Sequence, residues 1–146
     1  MYPLELTNTE YNKDNEYGIT LISLDSEFQK RYEPFSAHAD ARVAALQALH
    51  EAGLKTWVSI EPYPTPNIVK QNLTKILERI KFVDKLIFGK WNYNSEVNGY
   101  EDRIEFYHEC SDIVINFCKK NGIQLHIKEH TPRSSEYSQD IFVDDL

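Results

Sequence analysis

The sequence predicts an α/β chain in which parallel β/α units form part of a TIM-like barrel. Three observations lead to this prediction: β-branched apolar segments alternate with amphipathic segments, short turns or glycines separate them, and no glycine-rich turn follows a strand. Strand–helix alternation gives right-handed βαβ units and therefore a parallel sheet. Such a sheet is either doubly wound or a barrel, and the dinucleotide-binding doubly wound form has no support because it needs a glycine-rich first turn.

Four short segments are rich in β-branched and apolar residues and predict the strands. They are GITLISL, LKTWVSI, KLIFG and IQLHI, at residues 18–24, 54–60, 85–89 and 123–127. The first is expected to be buried on both faces of the sheet. We expect sequential order and carboxyl ends on one side.

Apolar side chains at helical spacing predict three helices between these strands. The first covers about 40–52, with Ser36 or Asp40 as its cap. The second follows a Thr65-Pro66 start and has its apolar face between residues 69 and 80. The third covers about 100–120, with an apolar stripe formed by Ile104, Tyr107, Val114, Phe117 and Cys118.

Length and composition indicate one globular domain in residues 1–130, followed by an acidic polar tail at 131–146. Sixteen basic and 23 acidic residues give a net charge of −7, which disfavours broad contact with phosphate backbones but permits a local basic groove. No apolar run is long enough to span a membrane, and the N-terminus has no signal-peptide pattern. A cytoplasmic location is expected, with Cys110 and Cys118 reduced.

Polar residues follow each predicted strand, at the edge where parallel β/α folds place their chemistry. We expect Ser23, Asp25, Glu61, Lys90 and either Glu129 or His130 to converge on one concave surface. The predicted substrate pocket consists of Glu61, Lys90, Trp91, Asn92, Glu129 and His130. Trp91 would serve equally as a lid over the barrel mouth.

Two long phrases resemble the C-terminal half of radical S-adenosylmethionine (SAM) enzymes, in the branch that includes spore photoproduct lyase. YGITLISLDSEFQKRYEP, at 17–34, is similar to the fourth strand and loop of that branch. ADARVAALQALHEAGLKTWVSIEPYPTP, at 39–66, is similar to its next helix, fifth strand and proline-rich tip. The resemblance implies a barrel that lines a cavity for SAM and substrate. In the complete family a reduced 4Fe-4S cluster cleaves SAM, and the resulting radical abstracts hydrogen from the substrate.

The resemblance implies SAM contacts for three residues. Ser23 and Asp25 stand where the family contacts the ribose and methionine part of SAM, and Arg42 stands where a basic residue meets the SAM carboxylate. Each also has a structural interpretation. Asp25 would start a turn, and the Ser23 side chain would pack inside the barrel. Arg42 would be a solvated helix residue that forms an ion pair with Asp40 or Glu33. The family's adenine-contacting glycines are absent from Ser59-Ile60-Glu61-Pro62.

The family's cluster motif, CxxxCxxC, is also absent. Cys110 and Cys118 are eight residues apart on a predicted helix, which is not a cluster-binding arrangement. Leu4-Glu5-Leu6-Thr7 resembles the end of the family's third strand. The chain is therefore expected to be an excised half with an internal start at Met1, without a cofactor of its own and inactive alone. SAM and the 4Fe-4S cluster are implied only for the complete protein.

The expected partner is the missing N-terminal half-barrel or a second copy of the chain. The sequence does not identify the substrate, and a nucleic-acid substrate is implied only by the resemblance.

Two other functions stay open: a non-enzymatic α/β binding or regulatory domain, and a hydrolase or isomerase that uses Glu61 and His130 as acid and base. His126-Ile127-Lys128-Glu129-His130 matches the zinc pattern H-x-x-E-H, but on a strand its histidines are about 13 Å apart. No metal site is predicted.

Overall fold

The computed structural model describes residues 15–133 of the 146-residue chain, and the structural statements below concern that range. The strands form one parallel sheet in the order β1-β2-β3-β4, so the predicted α/β fold with sequential parallel strands is confirmed. Along the chain the elements are β1 (Glu16–Thr20), α1 (Ser26–Tyr32), α2 (Ala39–Glu51), β2 (Lys55–Tyr63), α3 (Leu73–Arg79), β3 (Lys85–Lys90), α4 (Ser95–Asn98), α5 (Arg103–Asn121) and β4 (Gln124–Ile127).

The strands agree with the predicted positions except at their ends. β1 stops at Thr20, although the Leu21 N–H still donates to the Ser59 carbonyl at 2.9 Å. Burial on both faces, predicted for residues 18–24, does not hold at Thr20, which is exposed, but Leu21, Ile22 and Ser23 after the strand are all buried. β2 extends to Tyr63, with an irregular register against β3 beyond Ile60.

Two helices are shorter or capped differently than the sequence predicts. α2 begins after His38, whose Nδ1 accepts from the Asp40 N–H at 3.2 Å. α3 begins after Asn72 and not after Thr65, because the Thr65 carbonyl instead accepts from two N–H groups in a turn that does not continue. The short helices α1 and α4 were not predicted.

The hydrophobic core lies between one face of the sheet and helices α2, α3 and α5. Alternate strand residues point into it, as parallel strands require: Ile19, Val58, Ile60, Leu86, Phe88, Leu125 and Ile127 are all buried. The residues between them are only partly buried and are not part of this core: Trp57, Ser59, Glu61, Lys85, Ile87, His126 and Lys128. We call the side of the sheet that carries this second set the open face.

Helix α5 carries both cysteines on its buried side, together with Tyr107 and Val114. Ile104 was predicted on this stripe, but it is 63% exposed because it lies in the first turn of the helix, beyond the sheet. Gly122 ends the helix with φ of 66°. None of the described helices is long and apolar enough to cross a membrane.

The segment after β4 starts within the fold. Thr131 is buried, and its hydroxyl oxygen accepts from the Lys90 N–H at 3.2 Å. The Ser111 hydroxyl donates to the Pro132 carbonyl at 2.7 Å. The rest of the predicted acidic tail, 134–146, and the strand-like Leu4-Glu5-Leu6-Thr7 lie outside the described residues.

Candidate functional site

Side chains on the open face stand in rows across the strands. Ser59 is paired with Ile87, and Ile87 with His126, so these three residues form one row. Because strand side chains alternate, the residue two positions further along the chain lies on the same face. The next row therefore contains Glu61 on β2, Gly89 on β3 and Lys128 directly after β4. This last row lies at the carboxyl end of the sheet, the edge at which parallel β/α proteins bind ligands.

Gly89 leaves a gap in that row, and the Glu61 side chain fills part of it. A Cβ atom at position 89 would lie 2.5 Å from Glu61 Oε2 and 3.0 Å from Glu61 Cγ. Any larger residue would therefore displace the carboxylate. The glycine leaves room for the Glu61 side chain beside β3.

Around this row is a cavity of about 410 Å³, which we call the inner-face cavity. It is lined by Glu61, Asn92, His126, Lys128 and Glu129. No ion pair or side-chain hydrogen bond within residues 15–133 occupies these five side chains. The cavity thus offers two carboxylates, an ammonium, an imidazole and an amide to a ligand.

His126, which lines this cavity, has one unsatisfied ring nitrogen. Its Nδ1 atom is buried and has no hydrogen-bond partner within the described range. A buried polar atom without a partner is costly and usually marks a ligand, a water or a functional role. Together with Glu61 and Lys128, His126 can bind a polar group or transfer a proton at the carboxyl edge of the sheet.

A second cavity, of about 300 Å³, lies above β3 between the loop after that strand and the start of α5. We call it the tip cavity. Its charged and titratable lining residues are Lys90, Arg103 and His130, and no carboxylate from the described chain lines it. The full lining is Lys90, Trp91, Asn92, Tyr93, Val97, Asn98, Arg103, Ile104, Tyr107, His130 and Pro132.

Tyr107 holds the floor of the tip cavity in place. Its hydroxyl donates to the Tyr63 carbonyl at 2.6 Å and accepts from the Trp91 N–H at 3.2 Å. Burial raises the pKa of Tyr107 to about 12, so the hydroxyl stays protonated at neutral pH. The bond to Tyr63 ties α5 to β2, and the bond from Trp91 fixes the loop after β3.

The structure divides the six predicted pocket residues between the two cavities. Glu61 and Glu129 line the inner-face cavity, whereas Lys90, Trp91 and His130 line the tip cavity. Asn92 lines both, so the cavities are neighbours.

Ser23 and Asp25, the predicted SAM contacts, line neither cavity. Asp25 is the N-cap of α1, and its Oδ1 accepts from the Phe28 N–H at 2.8 Å. Ser23 is fully buried, and its hydroxyl oxygen accepts from the Asp25 N–H at 3.0 Å. Asp25 itself is exposed at the carboxyl end of β1, so a ligand can still reach it.

Arg42 connects α2 to the end of β1. Its guanidinium donates to the Thr20 carbonyl and lies 3.5 Å from Glu33 Oε2, and its side chain is only 13% exposed. The residue is therefore not a solvated helix residue, although its predicted partner Glu33 is present. Its contacts orient it toward the protein, away from both cavities.

The described cysteines do not suit an iron–sulfur cluster. Cys110 and Cys118 are buried free thiols within α5, and desolvation raises the pKa of each to about 12. Cluster ligands must be thiolates in a local array. No group of three His, Cys, Asp or Glu side chains among the described residues could hold a metal ion. The two histidines of H-x-x-E-H line different cavities.

Comparison with known proteins adds no family assignment. No protein-family model, curated protein or solved structure matches this chain. The resemblance to radical SAM enzymes therefore rests on the sequence phrases alone.

Nine residues that line these cavities were not predicted as pocket residues, and four of them carry side chains that matter for binding: His126, Lys128, Tyr93 and Arg103. A signal for the first two is present in the sequence Gln-Leu-His-Ile-Lys, where polar residues alternate with apolar ones. This alternation predicts a strand with one unburied face. Arg103 had no comparable signal, because only the fold brings the start of α5 beside the loop after β3.

Proposed function

We propose that this chain is the C-terminal part of a radical SAM barrel and that its open face lines the cavity for SAM and substrate. One observation carries the proposal: the sheet is parallel and sequential, and the helices α2, α3 and α5 all contribute to the core on one of its faces. A doubly wound sheet has helices on both faces. A β/α barrel has them only outside, and its inward side chains form layers.

The rows of the open face support this assignment. Gly18, Trp57, Lys85 and Gln124 form one row, and Thr20, Ser59, Ile87 and His126 form the next. Such rows correspond to the layers inside a barrel. At the upper end, Glu61, Gly89 and Lys128 leave room for a ligand where a barrel has its active site.

In the proposed barrel, the chain's own residues bind and orient ligands. Glu61, Asn92 and Glu129, with His126 and Lys128, would hold polar groups of the substrate. Asp25 would meet SAM through the carboxylate oxygen that does not cap α1. The buried cysteines support a cluster that would be held by another part of the complete protein, so the chain alone is expected to be inactive.

A non-enzymatic binding domain is the second candidate, and the contacts of Ser23 and Arg42 favour it. The Ser23 hydroxyl and the Arg42 guanidinium are both engaged within the fold. If these contacts are purely structural, the chain has no SAM subsite. The inner-face cavity would then serve a different polar ligand.

Binding of SAM to the isolated chain distinguishes the radical SAM proposal from the non-enzymatic binding domain. Saturation-transfer NMR should detect weak SAM binding to the wild type and a reduced signal with Asp25→Asn. Asparagine caps helices as well as aspartate does, so this variant should keep its melting temperature. Asp40→Asn, an exposed carboxylate on α2, is the matched control and should keep the signal. Absence of a SAM signal in the wild type would favour the binding domain.

Cluster assembly provides a second measurement. Anaerobic reconstitution with iron and sulfide should leave the chain without a cluster. Uptake should appear only with an N-terminal half that carries CxxxCxxC. About four irons per isolated chain, the content of a 4Fe-4S cluster, would contradict the proposal.

A further inference from the structure

The lining of the tip cavity contrasts in charge with the acidic composition of the protein. The protein carries a net charge of −7, yet the charged side chains that line this cavity are Lys90 and Arg103. His130 adds a titratable group, and no described carboxylate lines the cavity. The Lys90 ammonium forms no ion pair within residues 15–133. A local concentration of cations without counter-charge attracts an anionic ligand.

Aromatic side chains form another wall of the same cavity. Trp91 packs edge-on against Tyr32, with ring centroids 5.5 Å apart, and against Phe28 at 6.5 Å. These contacts and the Trp91 N–H bond to Tyr107 fix the orientation of the indole. Tyr93, also on the wall, is fully exposed. A fixed indole beside an exposed phenol is suited to stacking with a flat ring.

Backbone conformation singles out the same place. Two non-glycine residues in the described range have positive φ: Tyr93 at 58° and His130 at 68°. Both line the tip cavity. Such conformations are uncommon for non-glycine residues and concentrate at functional sites. Here they orient one aromatic and one imidazole side chain around a single space.

We propose that the tip cavity binds a mononucleotide. Lys90 and Arg103 hold the phosphate through charge-assisted hydrogen bonds, and Trp91 and Tyr93 stack on the base. The volume of about 300 Å³ is at the lower end of small-molecule pockets, which suits one nucleotide rather than an extended strand. This site is separate from the inner-face cavity and does not depend on the radical SAM assignment.

Titration of the full chain with AMP, followed by calorimetry and amide NMR, tests the site. AMP should bind more tightly than adenosine or inorganic phosphate, and its shifts should map to residues 90–93 and 97–107. Lys90→Gln and Arg103→Gln should each weaken AMP binding about tenfold or more, the loss typical of one charge-assisted hydrogen bond. Trp91→Leu should remove the preference for AMP over ribose 5-phosphate. Lys75→Gln, an exposed lysine on α3, is the matched control and should bind AMP normally.

Five outcomes would overturn the proposal. If inorganic phosphate binds as tightly as AMP, the cavity is a simple anion site. If adenosine binds as tightly as AMP, the cavity binds the base without recognising the phosphate. Tighter binding of a 5′-phosphorylated oligonucleotide would contradict a free mononucleotide as ligand. Shifts confined to the inner-face cavity, or no shifts at millimolar AMP, would also refute it. The amide shifts are measured on the wild-type protein, so this part of the test does not depend on whether the variants fold.

Discussion

Gly18 and Gly89 are the two positions at which the open face has no side chain, and each is covered by a neighbour on β2. A Cβ at Gly18 would collide with the Trp57 ring, and one at Gly89 would meet the Glu61 carboxylate. The sequence contains both glycines, but nothing local indicates which side chain covers them. That information depends on the register between strands.

The contact between Gly18 and Trp57 leads to a stability prediction. Gly18→Ala forces the indole ring to move, so it should lower the free energy of unfolding by about 1–3 kcal/mol, as overpacking does. Urea unfolding followed by circular dichroism measures this loss. In a Trp57→Leu background, Gly18→Ala should lower the free energy of unfolding much less. An equal cost in both backgrounds would show that the ring is not responsible.

Burial of the two thiols predicts their reactivity. Because desolvation raises the pKa of Cys110 and Cys118 to about 12, neither forms thiolate at pH 8 in the folded chain. A colorimetric thiol reagent should react with neither cysteine under native conditions and with both in guanidinium chloride. Rapid labelling of the native protein would show that α5 opens readily or packs differently.

Among the helices, the sequence predicted those with a long apolar repeat and missed those without one. α2 and α5 were predicted because several apolar residues recur at helical spacing. α1 has seven residues and buries only Phe28 and Gln29, so no repeat reveals it. α3 starts later than predicted because the Thr65 cap pattern and the Asn72 cap compete, and only tertiary packing selects between them.

The N-cap of α1 provides a test at this scale. Asp25→Ala removes the acceptor for the Phe28 N–H and should destabilise the protein by about 1 kcal/mol. Asp25→Asn should be close to wild type. Thermal unfolding of both variants measures the difference. If alanine is tolerated as well as asparagine, α1 is not coupled to the stability of the domain.

At the scale of the whole molecule, buried tyrosine hydroxyls and cysteine thiols are expected to lower the free energy of unfolding at high pH. Burial raises the pKa of Tyr107, Cys110 and Cys118 to about 12, and that of Tyr63 also rises. In the unfolded chain the thiols titrate near 9 and the tyrosines near 10. The unfolded state therefore loses protons first as the pH rises, which favours unfolding.

The contribution of these four groups to the free energy of unfolding should be constant below about pH 9 and fall between pH 9 and 12. Each group contributes a slope that approaches about 1.4 kcal/mol per pH unit. Urea titrations at a series of pH values measure the fall, and Cys110→Ala with Cys118→Ala should reduce it. Stability that stays level up to pH 11 would contradict the burial of these groups.

The order β1-β2-β3-β4 also affects how the protein can form during translation. Each strand pairs with the strand that precedes it in the chain, and each helix lies between consecutive strands. A nascent chain can therefore extend the sheet at one edge, unit by unit, as the ribosome releases it. None of the four strands in the described range has to insert between two others that are already paired, so partly synthesised chains need not undo these pairings.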